Sequence, residues 1–204
     1  SFTNSTLRIG AAVDGEVSPL TSIDATGDDA GGSDDEDGVT LPSSIIVGQT
    51  GASITISRTN TTGASAYLNA WLDFNRNNSI DAGEQIVVDQ LVSNGTNNSS
   101  QAYTFNVPAS AVAGTAGLRV RITPFVGATA AGISCLGEIE DYMVTIASPS
   151  DYGDFQYFTQ ASSTMNSNLR LGATVDSEFS QTVNSLATGD DITGGDDEDG
   201  ASLP

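Results

Sequence analysis

Apolar and polar side chains alternate along short runs through the middle of the chain. The runs are "SITISRT" (53–59), "AYLNAWLDF" (66–74), "EQIVVDQLV" (84–92), "AYTFNVP" (102–108), "LRVRITPF" (118–125) and "DYMVTIA" (141–147). In one of them Leu118, Val120 and Ile122 alternate with Arg119, Arg121 and Thr123. A period of two, with Gly, Asn and Ser between runs, predicts antiparallel strands. About six such strands in a hundred residues predict an all-β, antiparallel β-sandwich of Ig-like or jelly-roll-like form. No segment carries a helical period, and "SAVAGTAGL" (110–118) is broken by two glycines. Tyr67, Trp71, Tyr103, Phe125 and Tyr142 all fall within strand-like runs, which assigns them to the core.

The flanks obey a different rule. Residues 1–42 align without a gap on residues 163–204, with 24 identities in 42 positions. "LRIGAAVDGE" at 7–16 returns as "LRLGATVDSE" at 169–178, and "TGDDAGGSDDEDGVTLP" from Thr26 returns as "TGDDITGGDDEDGASLP" from Thr188. Self-similarity at a fixed offset of 162 predicts a tandem array whose repeating unit is a domain. The chain then divides into an acidic opening segment (1–42), a β-sandwich (43–148), a polar junction (149–162) and the opening segment of a second unit (163–204). The pattern starts in mid-stride, which predicts a piece of something longer.

Charge is concentrated where the alternation stops. Against 26 acidic residues stand six arginines and no lysine or histidine, a net charge of −20. That balance argues against nucleic acid and against insertion into an anionic membrane. It points to metal cations as the natural partner. Cys135 is the sole cysteine, so no internal disulfide and no paired-cysteine zinc site exists. With no histidine, neither a Ser–His nor a Cys–His nucleophile can be assembled. Paired carboxylates can hydrolyse glycosides, but the acids here sit in loops at metal-like spacing. The chain reads as no enzyme.

The most specific of those spacings is "DFNRNNSIDAGE", residues 73–84. Asp73, Asn75, Asn77, Ser79, Asp81 and Glu84 occupy positions 1, 3, 5, 7, 9 and 12 of a calcium loop. Asp73 would supply a carboxylate, Asn75 and Asn77 amide oxygens, and Ser79 its backbone carbonyl. Asp81 would bind directly or through water, and Glu84 with both oxygens. Asn78 stands at the turn position where glycine is usual, and asparagine tolerates positive φ. The competing reading is an Asn/Asp-rich hairpin turn without a ligand. With amides replacing carboxylates, affinity would fall toward about 10⁻⁴–10⁻³ M.

In the opening segment Asp28, Asp29, Asp34, Asp35, Glu36 and Asp37 follow Asp14 and Glu16. Unit charges about 4 Å apart repel by ~1 kcal/mol even in water, so compaction requires a counter-ion. The second unit repeats individual acids: Asp176, Glu178, Asp190, Asp191, Asp196, Asp197, Glu198 and Asp199. A plain solvated linker has no reason to keep them, so both sets are candidate Ca²⁺ ligands.

A third cluster is "GEIEDYMV", Gly137 to Val144. Together with "AWLDFNRNNSIDAGE" and the acidic opening, it closely resembles the bacterial GEVED-domain family. Gly137, Glu138, Glu140, Asp141 and Tyr142 match the signature, with Ile139 in place of its valine. The resemblance implies a calcium-dependent β-sandwich, secreted or on the bacterial cell surface, repeated in large surface proteins or appended to secreted enzymes. For Glu138 and Asp141 two roles stand open: metal ligands facing the 73–84 loop, or an ordinary hydrogen-bonded strand start. Arg119 and Arg121 share a strand face and are expected to pair with acids.

Three functions follow as expectations. The first is a structural repeat of a long extracellular adhesin or surface filament, stiffened by calcium ions. Its partners would be the neighbouring repeats, with self-assembly into a fibre as an extension. The second is a calcium-dependent carbohydrate-binding module with a glycan or surface ligand; the third is a non-catalytic appendage of a secreted hydrolase. Asn4, Asn60, Asn94, Asn97 and Asn98 lie in glycosylation-like triplets but read as turn residues.

Overall fold

In the computed structural model the described residues are 5–13, 36–132, 136–153, 155–159, 161–165, 168–173, 175, 183–185 and 200. Among them the chain is all-β. The strands are β1 (Leu7–Ile9), β2 (Val39–Thr40), β3 (Ile45–Ile46), β4 (Ala52–Asn60), β5 (Ala66–Leu72), β6 (Gln85–Val92), β7 (Thr96–Phe105), β8 (Gly114–Thr123), β9 (Glu138–Ala147), β10 (Ser150–Tyr152) and β11 (Ser162–Thr164). The six predicted runs all became strands. The short β1, β2, β3, β10 and β11 lie outside those runs.

A five-stranded sheet runs in the order β3-β9-β8-β5-β6. All its pairings are antiparallel except β3 on β9, which is parallel. The second sheet is built around β4, which pairs with β7 along its whole length. One apolar cluster joins the two sheets, with Ile54 and Ile56 of β4 packed among the same buried residues as Leu68 and Leu72 of β5 and Leu118, Val120 and Ile122 of β8. The alternation in β8 therefore has its predicted meaning. Trp71 and Tyr103 are buried, whereas Phe125 lies beyond the end of β8 and is exposed.

The other edge of β4 is completed in an unexpected way. β1 lies against residues 58–60 and β2 against 55–56, both antiparallel to β4. The two pieces meet at Ser57, whose carbonyl accepts from Gly10 N and whose N–H donates to the Gly38 carbonyl. Residues 7–10 and 38–40 thus act as one edge strand interrupted by residues 11–37. The opening segment is, to that extent, part of the same sheet as the 43–148 stretch from which the repeat pattern divided it. The neck of the interruption is closed by Asp37, which accepts from Ala11 N at 2.8 Å and Ala12 N at 3.2 Å. Only glycine fits where the strands meet: Gly10 has φ 61°, and a Cβ on Gly38 would overlap the Ile9 side chain.

A small hairpin, β10 paired antiparallel with β11, starts in the stretch expected to be a polar junction and ends two residues into the second opening segment. Beyond it, Leu169 and Leu171 occupy the repeat positions of Leu7 and Ile9 but are exposed, whereas Leu7 and Ile9 are fully buried. Ile9→Ala should therefore cost about 2–5 kcal/mol in urea unfolding. Leu171→Ala, its counterpart 162 residues on, should stay within about 0.5 kcal/mol.

Candidate metal site

The 73–84 loop leaves the end of β5 and returns into β6, so two sheet strands hold its ends. Asp73 N donates to the Gly117 carbonyl of β8 and Leu72 N to the Glu84 carbonyl, which fixes the base of the loop on the sheet. Both flanking carboxylates are taken out of water: Asp73 is 6% exposed and Glu84 is 4% exposed. Neither faces a base across the loop. The Asp73 oxygens accept from Asn77 N at 3.1 Å and Asn78 N at 2.8 Å. Those of Glu84 accept from Asn75 N at 3.2 Å and Asp81 N at 2.8 Å. Arg76, the one basic residue in the loop, turns away to the carbonyls of Thr115 and Ala113.

The turn geometry follows from residue type. Asn78 has φ 62° and Arg76 φ 56°, so the position where a glycine was missing does adopt the left-handed conformation asparagine tolerates. Asn75 Oδ1 accepts from Asn77 N, and Asn77 Oδ1 from Ser79 N. Their amide nitrogens converge on Asp81 Oδ2 at 3.0 and 2.8 Å. Those two bonds, Asn75 first, hold the Asp81 carboxyl below the usual carboxylate range. The loop is an oxygen-rich ring closed on itself by N–H donors. Among the described residues no group of three Asp, Glu, Cys or His side chains is gathered to hold a metal. In composition the donor set suits a hard cation. In the observed arrangement, the Asn75 and Asn77 amides must rotate before their oxygens face Asp81.

The signature acids do something different. β9 places Glu138 and Glu140 on its inner face, with Val144 and Ile146 further along it. Ile139 and Met143 point outward. Glu138 Oε2 accepts a hydrogen bond from Ile9 N, tying the signature to β1. Asp141 takes a forked pair of hydrogen bonds from Arg119, across the β8–β9 ladder. Both acids are thus hydrogen-bonded, Glu138 at the start of β9 and Asp141 within it. Arg121 departs from expectation: its guanidinium donates to the carbonyls of Thr129, Ala131 and Gly132, with no acid as partner among the described residues.

Glu140 is the residue that sequence reasoning passed over as a site. It is 1% exposed, and its Oε1 has no hydrogen-bond partner among the described residues. Its Oε2 accepts from Tyr142 Oη at 2.9 Å. The same phenol oxygen accepts from Gly38 N and Val39 N, both at 3.1 Å, so the signature grips β2 as well as β1. Burial pushes the Glu140 carboxyl up to about 8, and the negative charges of Asp37 and Glu36 add to it against the bond from Tyr142. Burial also raises the Tyr142 phenol, with Glu140 contributing. The alternation of Val144 and Ile146 with Thr145, continued back along the strand, was the available signal.

Of the other candidate ligands, Asp37 is at the neck described above. Asp14, Glu16, Asp28, Asp29, Asp34, Asp35, Asp176, Glu178, Asp190, Asp191, Asp196, Asp197 and Asp199 lie outside the described residues. Of the asparagines read as turn residues, Asn94 lies in the β6–β7 turn and accepts from Gly63 N, whereas Asn60 ends β4, buried and donating to the Ala64 and Val92 carbonyls, and Asn97 and Asn98 lie in β7.

A β-sheet carrying an acid-rich loop between paired strands, with two inward glutamates on a neighbouring strand, defines a class of all-β module. Residues 67–145, from β5 into β9, match the family model described as the GEVED domain. A GEVED domain is therefore present over that stretch. No curated protein matches the chain.

Because the Glu140 carboxyl lies above its unfolded value of about 4.5, the folded state binds the extra proton between that value and about 8. Stability should be full below the lower value and fall as pH rises through the upper one. The slope attributable to this group is up to about 1.4 kcal/mol per pH unit. Urea unfolding in chelator across this range should show the decline, and Glu140→Gln should flatten it.

Proposed function

We propose that the chain is a structural module of a long extracellular bacterial adhesin or surface filament, an antiparallel β-sandwich stiffened by Ca²⁺. The observation that carries this reading is the pair of buried carboxylates, Asp73 and Glu84, held in one oxygen-rich loop with only N–H groups for partners. A buried anion without a counter-charge is costly, and a hard cation in the loop would relieve that cost. Calcium suits the set, since it accepts six to eight oxygens in loose geometry, including amide and backbone oxygens. Asp73, Asn75, Asn77, Asp81 and Glu84 would hold it, with the Ser79 carbonyl. The ion supplies charge and rigidity there. The sheet strands β5 and β6 would then be locked at the end where the loop joins them.

The acid-rich excursion between Ala11 and Asp37 supports the same reading. Its return in the second unit places repelling carboxylates at regular intervals along an array. Divalent ions would fold these segments and set successive modules in line. Secretion to the cell surface, where calcium is plentiful and arrays of such modules are useful, goes with that function.

Thermal and urea unfolding with calcium added back from chelator tests the proposal. At about a hundredfold excess over the dissociation constant, each site should add roughly 2.7 kcal/mol. Asp73→Asn combined with Glu84→Gln should remove the contribution of the loop. Unfolding that is the same in calcium and chelator would refute the metal reading.

A second reading, binding of carbohydrate, draws on one observation. Tyr157 and Phe158 are exposed, and Phe155 packs edge-on against both, with ring centroids 5.3 and 4.9 Å away. A glycan array that binds the chain, and loses binding with Tyr157→Ala and Phe158→Ala, would favour this second function.

A further inference from the structure

The edges of the two sheets differ in how they are protected. Among the described residues the five-stranded sheet ends on β3, two residues long, and on β6. The β6 edge is blunted: its register against β5 slips twice, and Asp89 stands there in the left-handed region with φ 41°. The second sheet ends on one side in the short β1 and β2. Its other end is β7, ten residues long, paired with β4 and holding neither a charge nor a proline. Charge and proline are the usual protections of such an edge.

Which groups this edge presents follows from the pairing. Ser57 directs both its main-chain groups to Gly10 and Gly38, away from β7. It faces Ser100 across the β4–β7 ladder, so that pair exchanges no main-chain bond, and the N–H and C=O of Ser100 point outward. The register is unbroken from there to Phe105, so Ala102 and Thr104 do the same. All three residues are exposed. On the other side of Ser100, Asn98 has φ 45° and the register shifts, which limits the regular edge to residues 99–105. Charge says what can approach it. The chain carries −20, yet no charged residue lies between Asp89 and Arg119. β7 is therefore a place where two such anions can meet without acid facing acid.

We propose that the β7 edge pairs with the β7 edge of a second copy of this chain, antiparallel about a two-fold axis at Ala102. The axis falls there because Ala102 is the middle of the regular edge. Ala102 then faces Ala102 of the second copy, and Ser100 faces Thr104 in both directions. In each pair the outward main-chain groups of one copy meet those of the other, as antiparallel pairing requires. The side chains that meet are small and neutral, so no like-charge pair opposes the contact. Addition of a strand to a sheet edge draws its affinity from the main chain. The contact uses the same surface on both copies, so it closes at a dimer. It is a small interface and belongs to the weak, transient class. This inference does not rest on the calcium reading.

Analytical ultracentrifugation of the full chain tests the pairing, in about 0.5 M salt so that long-range repulsion is screened. The expected result is a dimer whose fraction rises as the chain approaches about 1 mM. Amide exchange at Ser100, Ala102 and Thr104 should slow in step with it. Ser100→Glu with Thr104→Glu sets two like-charge pairs face to face and should weaken the dimer by about tenfold. Ser100→Lys with Thr104→Lys should do the same. Mixing the two double variants should restore association as a heterodimer. These positions are exposed, so thermal unfolding of the dilute variants should match that of the unaltered chain. If a double variant does not fold, Ala102→Pro carries the comparison, because it removes an outward N–H that β4 does not use. A chain that stays monomeric at about 1 mM would overturn the proposal. So would a dimer of unchanged strength in the glutamate variant, or no recovery on mixing.

Discussion

The structure depends on how one edge of β4 is closed. A strand of nine residues in the middle of a sheet needs partners on both sides. β7 supplies one side as a single continuous strand, and the opening segment supplies the other from two places nearly thirty residues apart. The closure works because Gly10 and Gly38 let the two backbones meet at Ser57 without a side chain between them. Leu7 and Ile9 then enter the core that β4 and β8 share. The family match begins at residue 67, but the fold does not. The matched stretch alone lacks β1, β2 and β4, and with them one side of its own core.

The signature on β9 is best understood from this edge. Glu138 holds the β1 backbone at Ile9, and Tyr142 holds the β2 backbone at Gly38 and Val39. Polar side chains on an inner face are expensive unless they are bonded, and here they bond the one strand that has no continuous chain to hold it. Glu140 sits between them and bears the strain: burial and the nearby charges of Glu36 and Asp37 both oppose its ionisation. The acidic neck and the signature are therefore one electrostatic unit. A change of charge at Asp37 or Glu36 is felt at the buried glutamate.

Much of this was legible in the chain. Alternation found β4 and β9 because each buries one face, and burial of one face is what period two records; β5 is buried almost throughout and β7 is mostly exposed. Residues 73–84 were legible as a loop, down to the left-handed conformation of Asn78. β1 and β2 were not, since strands of three and two residues carry too few positions to show a period. The repeat flagged them, but repetition says that a segment matters without saying where it packs. Phe125 was assigned to the core because the apolar run continued past Thr123, where the strand ends. The parallel β3–β9 pairing has no local signature at all.

The inner acids expose a more general limit. Reading "GEIED" as a patch of charge treats Glu138, Glu140 and Asp141 as equivalent, whereas the pleat of β9 separates them. Asp141 points to the opposite face and is bound to Arg119, which is itself only partly buried. Such a pair contributes little, since water and salt screen it. Glu138 and Glu140 are in the low-dielectric interior, where a single missing hydrogen bond is felt in full. Sign and spacing identify where cations or protons act. The face of the strand decides which carboxylates are buried, and here it selects Glu138, bonded to β1, and Glu140 beside it.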